Sequence, residues 1–214
     1  MNGFSEKEFE IFEVQGYQAR MPRLRSEITT RFKALAPGLA EELEQATDLE
    51  MHPHIALHMR RTVNPPEETW AAFCRSTRAY KPFVHFRVSI NREGIHLKVF
   101  IEDDADDKPV FAAGLKRNAS VLIRYFAENP AIRSYDLLDG IGRPRSGSNL
   151  KKTEIERFTD RLKSVKGQHA SFGIALGKDG GAVGSAEVLT MSVAGAAKAM
   201  LPFYRMGMEK QYKL

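Results

Sequence analysis

The sequence predicts an α+β fold: one compact domain over residues 1–214 in which helices flank a mainly antiparallel sheet. Apolar residues recur at Met21, Leu24, Ile28, Phe32, Leu35, Leu39 and Leu43, a three-and-four spacing that lays a single stripe along a helix. Two alternating runs, "FVHFRVSI" and "IHLKVFIE", are joined by the short turn-forming stretch "NREG". Helical and strand-like segments interleave along the chain, yet the only short link between strands is that hairpin. This favours antiparallel pairing over a doubly wound parallel sheet.

Taken in order, Ser5 with Glu8 three residues later is a capping-box pattern, opening a short helix whose Phe9 and Phe12 share a face until Gly16 interrupts it. The stripe then predicts a helix from residue 17 to about 45, kinked or divided at Pro37-Gly38. After Asp48 the period becomes two. Ile55, Leu57 and Met59 alternate with His54, Ala56, His58 and Arg60, which predicts a half-buried strand with the histidines on its other face. Asn64-Pro65-Pro66 ends it, since neither proline donates a hydrogen bond. Residues 70–75 fit a strand or a short helix, and in the hairpin Gly94 is the residue able to take a positive φ. Residues 102–109, "EDDADDKP", read as a solvated loop, and 111–128 as one helix stopped at Asn129-Pro130. "IRSYDLLD" reads as a strand and "GIGRPRSGSNLKK" as a loop. A helix capped by Thr153 with Glu156 follows, to about residue 166. "HASFGIALG" is a further strand. Beyond "KDGGAVGS" a last helix carries Leu189, Val193, Ala197, Met200 and Tyr204 and bends at Pro202.

The 32 Lys and Arg against 27 Asp and Glu leave +5, mildly basic and well short of a dedicated nucleic-acid protein. Residues 52–92 hold seven basic and two acidic side chains, so the whole excess sits in that segment. Cys74 is the only cysteine, which excludes an intrachain disulfide and a cysteine metal cluster and suits a reducing cytosol; a cytoplasmic location is expected. The stretch "MNGFSEKEFEIFE" is acidic and amphipathic where an export signal is basic and then apolar. The least polar long window, residues 182–201, contains Glu187 and Lys198 and reads as a buried helix, so no membrane partner is expected.

The run "HIALHMRRTVNPPEETWAAF", continued by "RAYKPFVHF", resembles the signature of the YktB-like family, a group of uncharacterised bacterial proteins. His54, His58, Arg60, Arg61, Asn64, Pro65, Pro66, Trp70, Arg78, Tyr80, Lys81, His85 and Phe86 match its pattern. His52 does not, and Val84 stands where the pattern has a proline. The resemblance is sharpest from about residue 51 to 101. It implies an α+β fold and a cytoplasmic bacterial protein, and it implies no activity.

Two chemistries compete for this segment. A metal needs convergent ligands, but on a strand His54 and His58 stand about 13 Å apart at ~3.3 Å per residue, too far for one ion. On a helix the same pair would meet, without the glutamate that serves H-E-x-x-H sites as base. His52 with His54, joined by His85 or His96, is the remaining metal arrangement, and a metal-assisted hydrolase is the alternative it supports. No metal ligand set and no cofactor is assigned. The anion reading uses Arg60, Arg61, Arg78 and Lys81 to neutralise charge, Trp70 or Tyr80 to pack on the ligand, and His54, His58 and His85 to orient it. The expected ligand is an anionic, phosphate-containing small molecule, nucleotide or nucleic acid. A scaffold or regulatory protein without a small-molecule site is the third reading.

His85 alternates to the face of Arg87 and Ser89, away from Val84, Phe86, Val88 and Ile90, and neighbouring arginines would favour its neutral, basic form. Cys74 in "WAAFCR" reads as a small buried hydrophobe before a nucleophile. "EDDADDKP" lacks the glycine and terminal glutamate of a calcium-binding EF-hand loop, and "GIGRPRSG" and "GKDGG" match no phosphate-loop spacing. No motif fixes a reaction, and no pattern encodes the oligomeric state.

Overall fold

A computed structural model describes residues 2–135, 145–146 and 150–214. Its helices are α1 (Glu6–Glu10), α2 (Tyr17–Arg23), α3 (Thr30–Thr47), α4 (Lys108–Arg117), α5 (Ala119–Glu128), α6 (Lys152–Ser164), α7 (Gly180–Val183) and α8 (Ala186–Met208). Its strands are β1 (His52–Ile55), β2 (Glu68–Cys74), β3 (His85–Asn91), β4 (Gly94–Ile101), β5 (Ile132–Ser134), β6 (Arg145–Ser146) and β7 (Ala170–Gly177). The strands form one sheet in the order β1-β2-β3-β4-β7-β5-β6. β5 runs antiparallel to β7, with Ile132 opposite Ile174, and to β6, with Arg133 opposite Ser146. The α+β class with a mainly antiparallel sheet is therefore what the chain adopts.

The chain clusters into two compact units, Met1–Phe73 with Arg87–Leu97 and Ala175–Ala197, and Cys74–Phe86 with Lys98–Ile174 and Lys198–Leu214. β3, β4 and β7 run through both.

In the first unit, the Glu8 carboxylate accepts the Ser5 backbone N–H at 2.9 Å, closing the expected capping box of α1. All seven stripe residues, Met21 to Leu43, are buried. The helix carrying them is not divided at Pro37, which lies within α3; instead it widens to a π-helical stretch, Leu24–Thr29, two residues past Pro22. A proline supplies no N–H to the ladder, and slipping the register of the bonds that follow is one way to absorb that loss. Asp48 ends α3 in the left-handed conformation, φ 57°, with its N–H on the Glu44 carbonyl.

The strand expected from residue 54 to 60 stops at Ile55. His58 has φ 49°, which no strand tolerates, and the Arg61 N–H closes a turn on the His58 carbonyl at 3.2 Å. Ala56 is buried, while Leu57 and Met59 are exposed: the large apolar residues of the alternation face out on a loop instead of into the core. Residues 68–74 form the strand β2. The hairpin follows as expected, with Gly94 at φ 132°. A Cβ there would come within 2.4 Å of the Gly177 carbonyl oxygen, so the position requires glycine twice over.

In the second unit, Phe172 stacks on Phe203 at 4.5 Å, with Phe126 and Phe111 around them. Phe86 lies flat on Tyr204, 4.6 Å between centroids. The single helix expected over 111–128 is two, because Asn118 turns its amide onto the Gly114 carbonyl at 2.9 Å and accepts the Leu214 N–H. The cap of α6 is also displaced. Lys151 and Glu154, not Thr153 and Glu156, close it through a 2.8 Å bond from the Lys151 N–H. Of the expected strand "IRSYDLLD", Ile132–Ser134 forms β5, and residues 136–139 lie outside the described residues, as does most of "GIGRPRSGSN".

Candidate functional site

The alternation along β3 predicts one apolar and one polar face, and both exist: Phe86, Val88 and Ile90 on one, His85, Arg87 and Ser89 on the other. The polar face is not the open surface that the alternation implies. His85 is 0% and Arg87 3% exposed, and Ser89 is equally buried.

The nine candidate residues divide between the two units. His54, His58, Arg60, Arg61 and Trp70 belong to the first, and Arg78, Tyr80, Lys81 and His85 to the second. In the first unit the structure brings three side chains into one cluster. The His58 ring stands edge-on to the Trp70 indole, 5.2 Å between centroids, and its Nε2 is 3.0 Å from the Thr69 hydroxyl. The Arg87 guanidinium lies over the Trp70 ring at 4.1 Å, a cation–π contact that orients it. Burial, with the nearby charges of Arg61 and Arg87, pushes the His58 imidazole down to about 4. At neutral pH His58 is therefore uncharged, able to donate from one nitrogen and accept at the other. Arg60 and Arg61 are exposed on the loop that carries it, and His54 is half-buried on the edge strand β1.

Buried polar atoms of this cluster without a hydrogen-bond partner among the described residues include the Trp70 indole nitrogen and the Ser89 hydroxyl. Ser89 shares the face of Arg87, two residues along β3. A buried donor without an acceptor costs roughly 1–3 kcal/mol, so two such donors beside a guanidinium make this face the strongest candidate for an acceptor-bearing ligand. Arg87 and Ser89 lie outside the residues that the sequence singles out as ligand-binding, although the alternation of β3 put them beside His85.

The second unit gathers a different group. Tyr80 meets His85 edge-on at 4.9 Å, His85 packs on Phe100 at 5.6 Å, and His169 stacks on the same phenyl ring at 5.2 Å. The His85 Nδ1 is 2.9 Å from the Phe83 carbonyl, so that nitrogen carries the proton. Lys98, buried, holds its ammonium 4.7 Å from the Tyr135 ring. His169 and Lys98 have no sequence signal of their own, since His169 precedes its strand and Lys98 looks like one more solvated charge. Arg78 and Lys81 are exposed in the segment before β3.

Asp107 is the clearest omission of the sequence reading. It lies in the acidic stretch expected to be solvated, yet it is buried, takes both Nη atoms of Arg75 at 2.8 Å and accepts the Val84 N–H at 2.8 Å. Cys74 is buried, with Sγ 3.7 Å from the Ser76 carbonyl oxygen and 3.8 Å from that of Ala79, and burial pushes its thiol up. It is the small apolar residue expected. Among the described residues no three His, Cys, Asp or Glu side chains come together in a metal-binding group. No helix among them is long and apolar enough to cross a membrane.

A family model described as a domain of unknown function, DUF1054, matches residues 4–204. A "UPF0637 protein" of Oceanobacillus iheyensis is 30% identical over 216 residues, covering 99% of each chain. A UPF0637 protein of Shouchella clausii is 28% identical over 210 residues, 96% of this chain and 95% of its own. A third, of Listeria monocytogenes, is 35% identical over 164 residues, 74% of this chain and 76% of its own.

Proposed function

The chain belongs to the DUF1054 family of bacterial proteins, the YktB-like group its sequence resembles, and from that premise we propose that it binds an anionic, phosphate-containing ligand on the β2–β3 face of the first unit. The observation that carries the reading is the pair of buried donors, Trp70 Nε1 and Ser89 Oγ, beside the guanidinium of Arg87. Anionic oxygens are the acceptors that both donors lack, and a guanidinium adds charge and a fork of N–H groups. Neutral His58 supplies a further donor at the edge of the face, and Arg61 adds positive charge there. A small molecule, a nucleotide or a nucleic acid presents this chemistry. Residues 1–214 act as one functional domain in a cytoplasmic protein; this is supported by a family match running through residues 4–204 and by a single, buried cysteine.

Trp70 is the only tryptophan in the chain, so its emission reports on the face directly. Titrating the full chain with tripolyphosphate, a nucleoside diphosphate and a short single-stranded oligonucleotide is expected to give a saturable change for at least one of them. Affinity for a polyanion should fall steeply as salt rises, and Arg87→Lys, which keeps the charge but loses the planar fork, should weaken it by about tenfold or more. A response that ignores both salt and Arg87, or no response to any probe, rejects the proposal and leaves the scaffold reading standing.

A further inference from the structure

Between β1 and β2 the chain makes an excursion, residues 56–66, whose base is fastened at both ends. The Ala56 N–H donates to the Trp70 carbonyl at 3.0 Å, and Arg20, buried, donates to the Pro66 carbonyl at 3.1 Å and pairs with Glu67 at 3.0 Å. Pro65 and Pro66 stiffen the returning limb. The outward part is apolar. Leu57 is 48%, Met59 76% and Val63 74% exposed, three of the large apolar side chains left most open to water. The others among the described residues, Val165, Val188 and Met191, belong to the end of α6 and to α8. Arg60 and Arg61 stand between Met59 and Val63, residues 56–66 contain no acid, and the adjoining Glu67 is already paired with Arg20.

We propose that this loop is a docking element for an anionic bilayer surface. The chemistry selects that occupant. Aliphatic side chains interleaved with arginines match a headgroup region, where methyl and thioether groups enter the acyl boundary while guanidinium groups stay at the phosphates. A nucleic acid would use the arginines but gains little from Leu57, Met59 and Val63, since bases stack on aromatic rings and not on aliphatic chains. A protein partner needs roughly 20–30 residues a side, whereas the apolar exposure here is confined to three residues of one short loop. A bilayer requires no shape match. The loop shares His58 and Arg61 with the edge of the proposed anion site but not Trp70, Ser89 or Arg87, so this inference goes beyond that site, and the Arg87 variant below tells the two apart. It also departs from the expectation of no membrane partner, which rested on the lack of a spanning segment and not on surface contact.

The test is co-sedimentation of the full chain with vesicles of phosphatidylcholine alone and with one third phosphatidylglycerol. Binding is expected to the anionic vesicles, to weaken with salt, and to be near background on the neutral ones. Met59→Glu with Val63→Glu should lower the partition by about tenfold or more, and Arg60→Glu with Arg61→Glu by a similar factor. All four positions are exposed, and unchanged circular dichroism confirms that the variants fold. Arg87→Lys, which should weaken the anion site, is expected to leave vesicle binding unchanged. Equal binding to both vesicle types, no binding to either, or loss with the arginine variant but not with the Met59 and Val63 variant overturns the proposal. So does a dimer of the full chain that dissociates on Met59→Glu, which would make the occupant a second copy.

Discussion

His58 gives the structure a quantitative consequence. Its imidazole titrates near 6.5 when solvated and is held down to about 4 in the folded chain, chiefly by burial, with Arg61, Arg87 and Arg25 adding repulsion and Glu68 opposing them. The folded state therefore binds fewer protons than the unfolded chain between those two values. The stability tied to neutral His58 is fully present above pH 6.5 and is lost progressively as pH falls towards 4. A shift from 6.5 to about 4, at ~1.4 kcal/mol per unit, bounds the effect at about 3.5 kcal/mol, which solvent screening of this part-exposed ring lowers, and that is still a large part of a small protein's net stability. Urea unfolding of the full chain at pH 7, 5.5 and 4 measures the loss. His58→Asn is the control, because asparagine tolerates the local φ of 49° and does not titrate. The wild type should lose about 2–3 kcal/mol more than the variant across this range. Parallel losses in both, or an NMR titration placing His58 near 6.5 in the native protein, would refute the burial argument.

Two further outcomes follow from the packing of the second unit. Asp107→Ala removes the acceptor of both Arg75 N–H bonds and of the Val84 N–H, and chemical denaturation should show a loss of about 2–4 kcal/mol, with Asp107→Asn intermediate; a loss under about 0.5 kcal/mol would make that network incidental. Gly207 sits where a Cβ would meet the Val84 Cβ at 2.7 Å, so Gly207→Ala should cost about 1–3 kcal/mol, and much less in a Val84→Gly background, which removes that Cβ. Strict additivity of the two substitutions in thermal unfolding would show that they do not share that space.

What could be read from the sequence was what a single period dictates. The stripe from Met21 to Leu43 is buried along its whole length because a helix that packs on one side must repeat near 3.6, and Gly94 announces the hairpin because the turn needs a φ that other residues resist. Failures arose where a short pattern has two causes. Alternation over Ile55, Leu57 and Met59 is too brief to separate a strand from an exposed loop, and only the left-handed turn at His58 decides between them. Asn118 interrupts a helix through a side-chain bond to Gly114 that periodicity does not register. Of the candidate site, the residue types and the segment were legible, but their grouping was not. Which side chains meet depends on long-range pairing, and Asp107, Lys98 and His169 acquire their roles only from it.

The same point explains why the polar face of β3 was misjudged. Alternation ordinarily marks a strand with one face on the core and one in water, and the cost of burying arginine and histidine is the reason. Here the second face is covered as well, and the cost is met in part by stacking: Arg87 on Trp70, His85 between Tyr80 and Phe100. Stacking accounts for the orientation of these groups. It supplies no acceptor to the Trp70 N–H or the Ser89 hydroxyl, and a face evolved for packing alone would gain stability by replacing both with apolar atoms of the same shape. The two donors beside the Arg87 guanidinium are the observation on which the proposed anion reading rests.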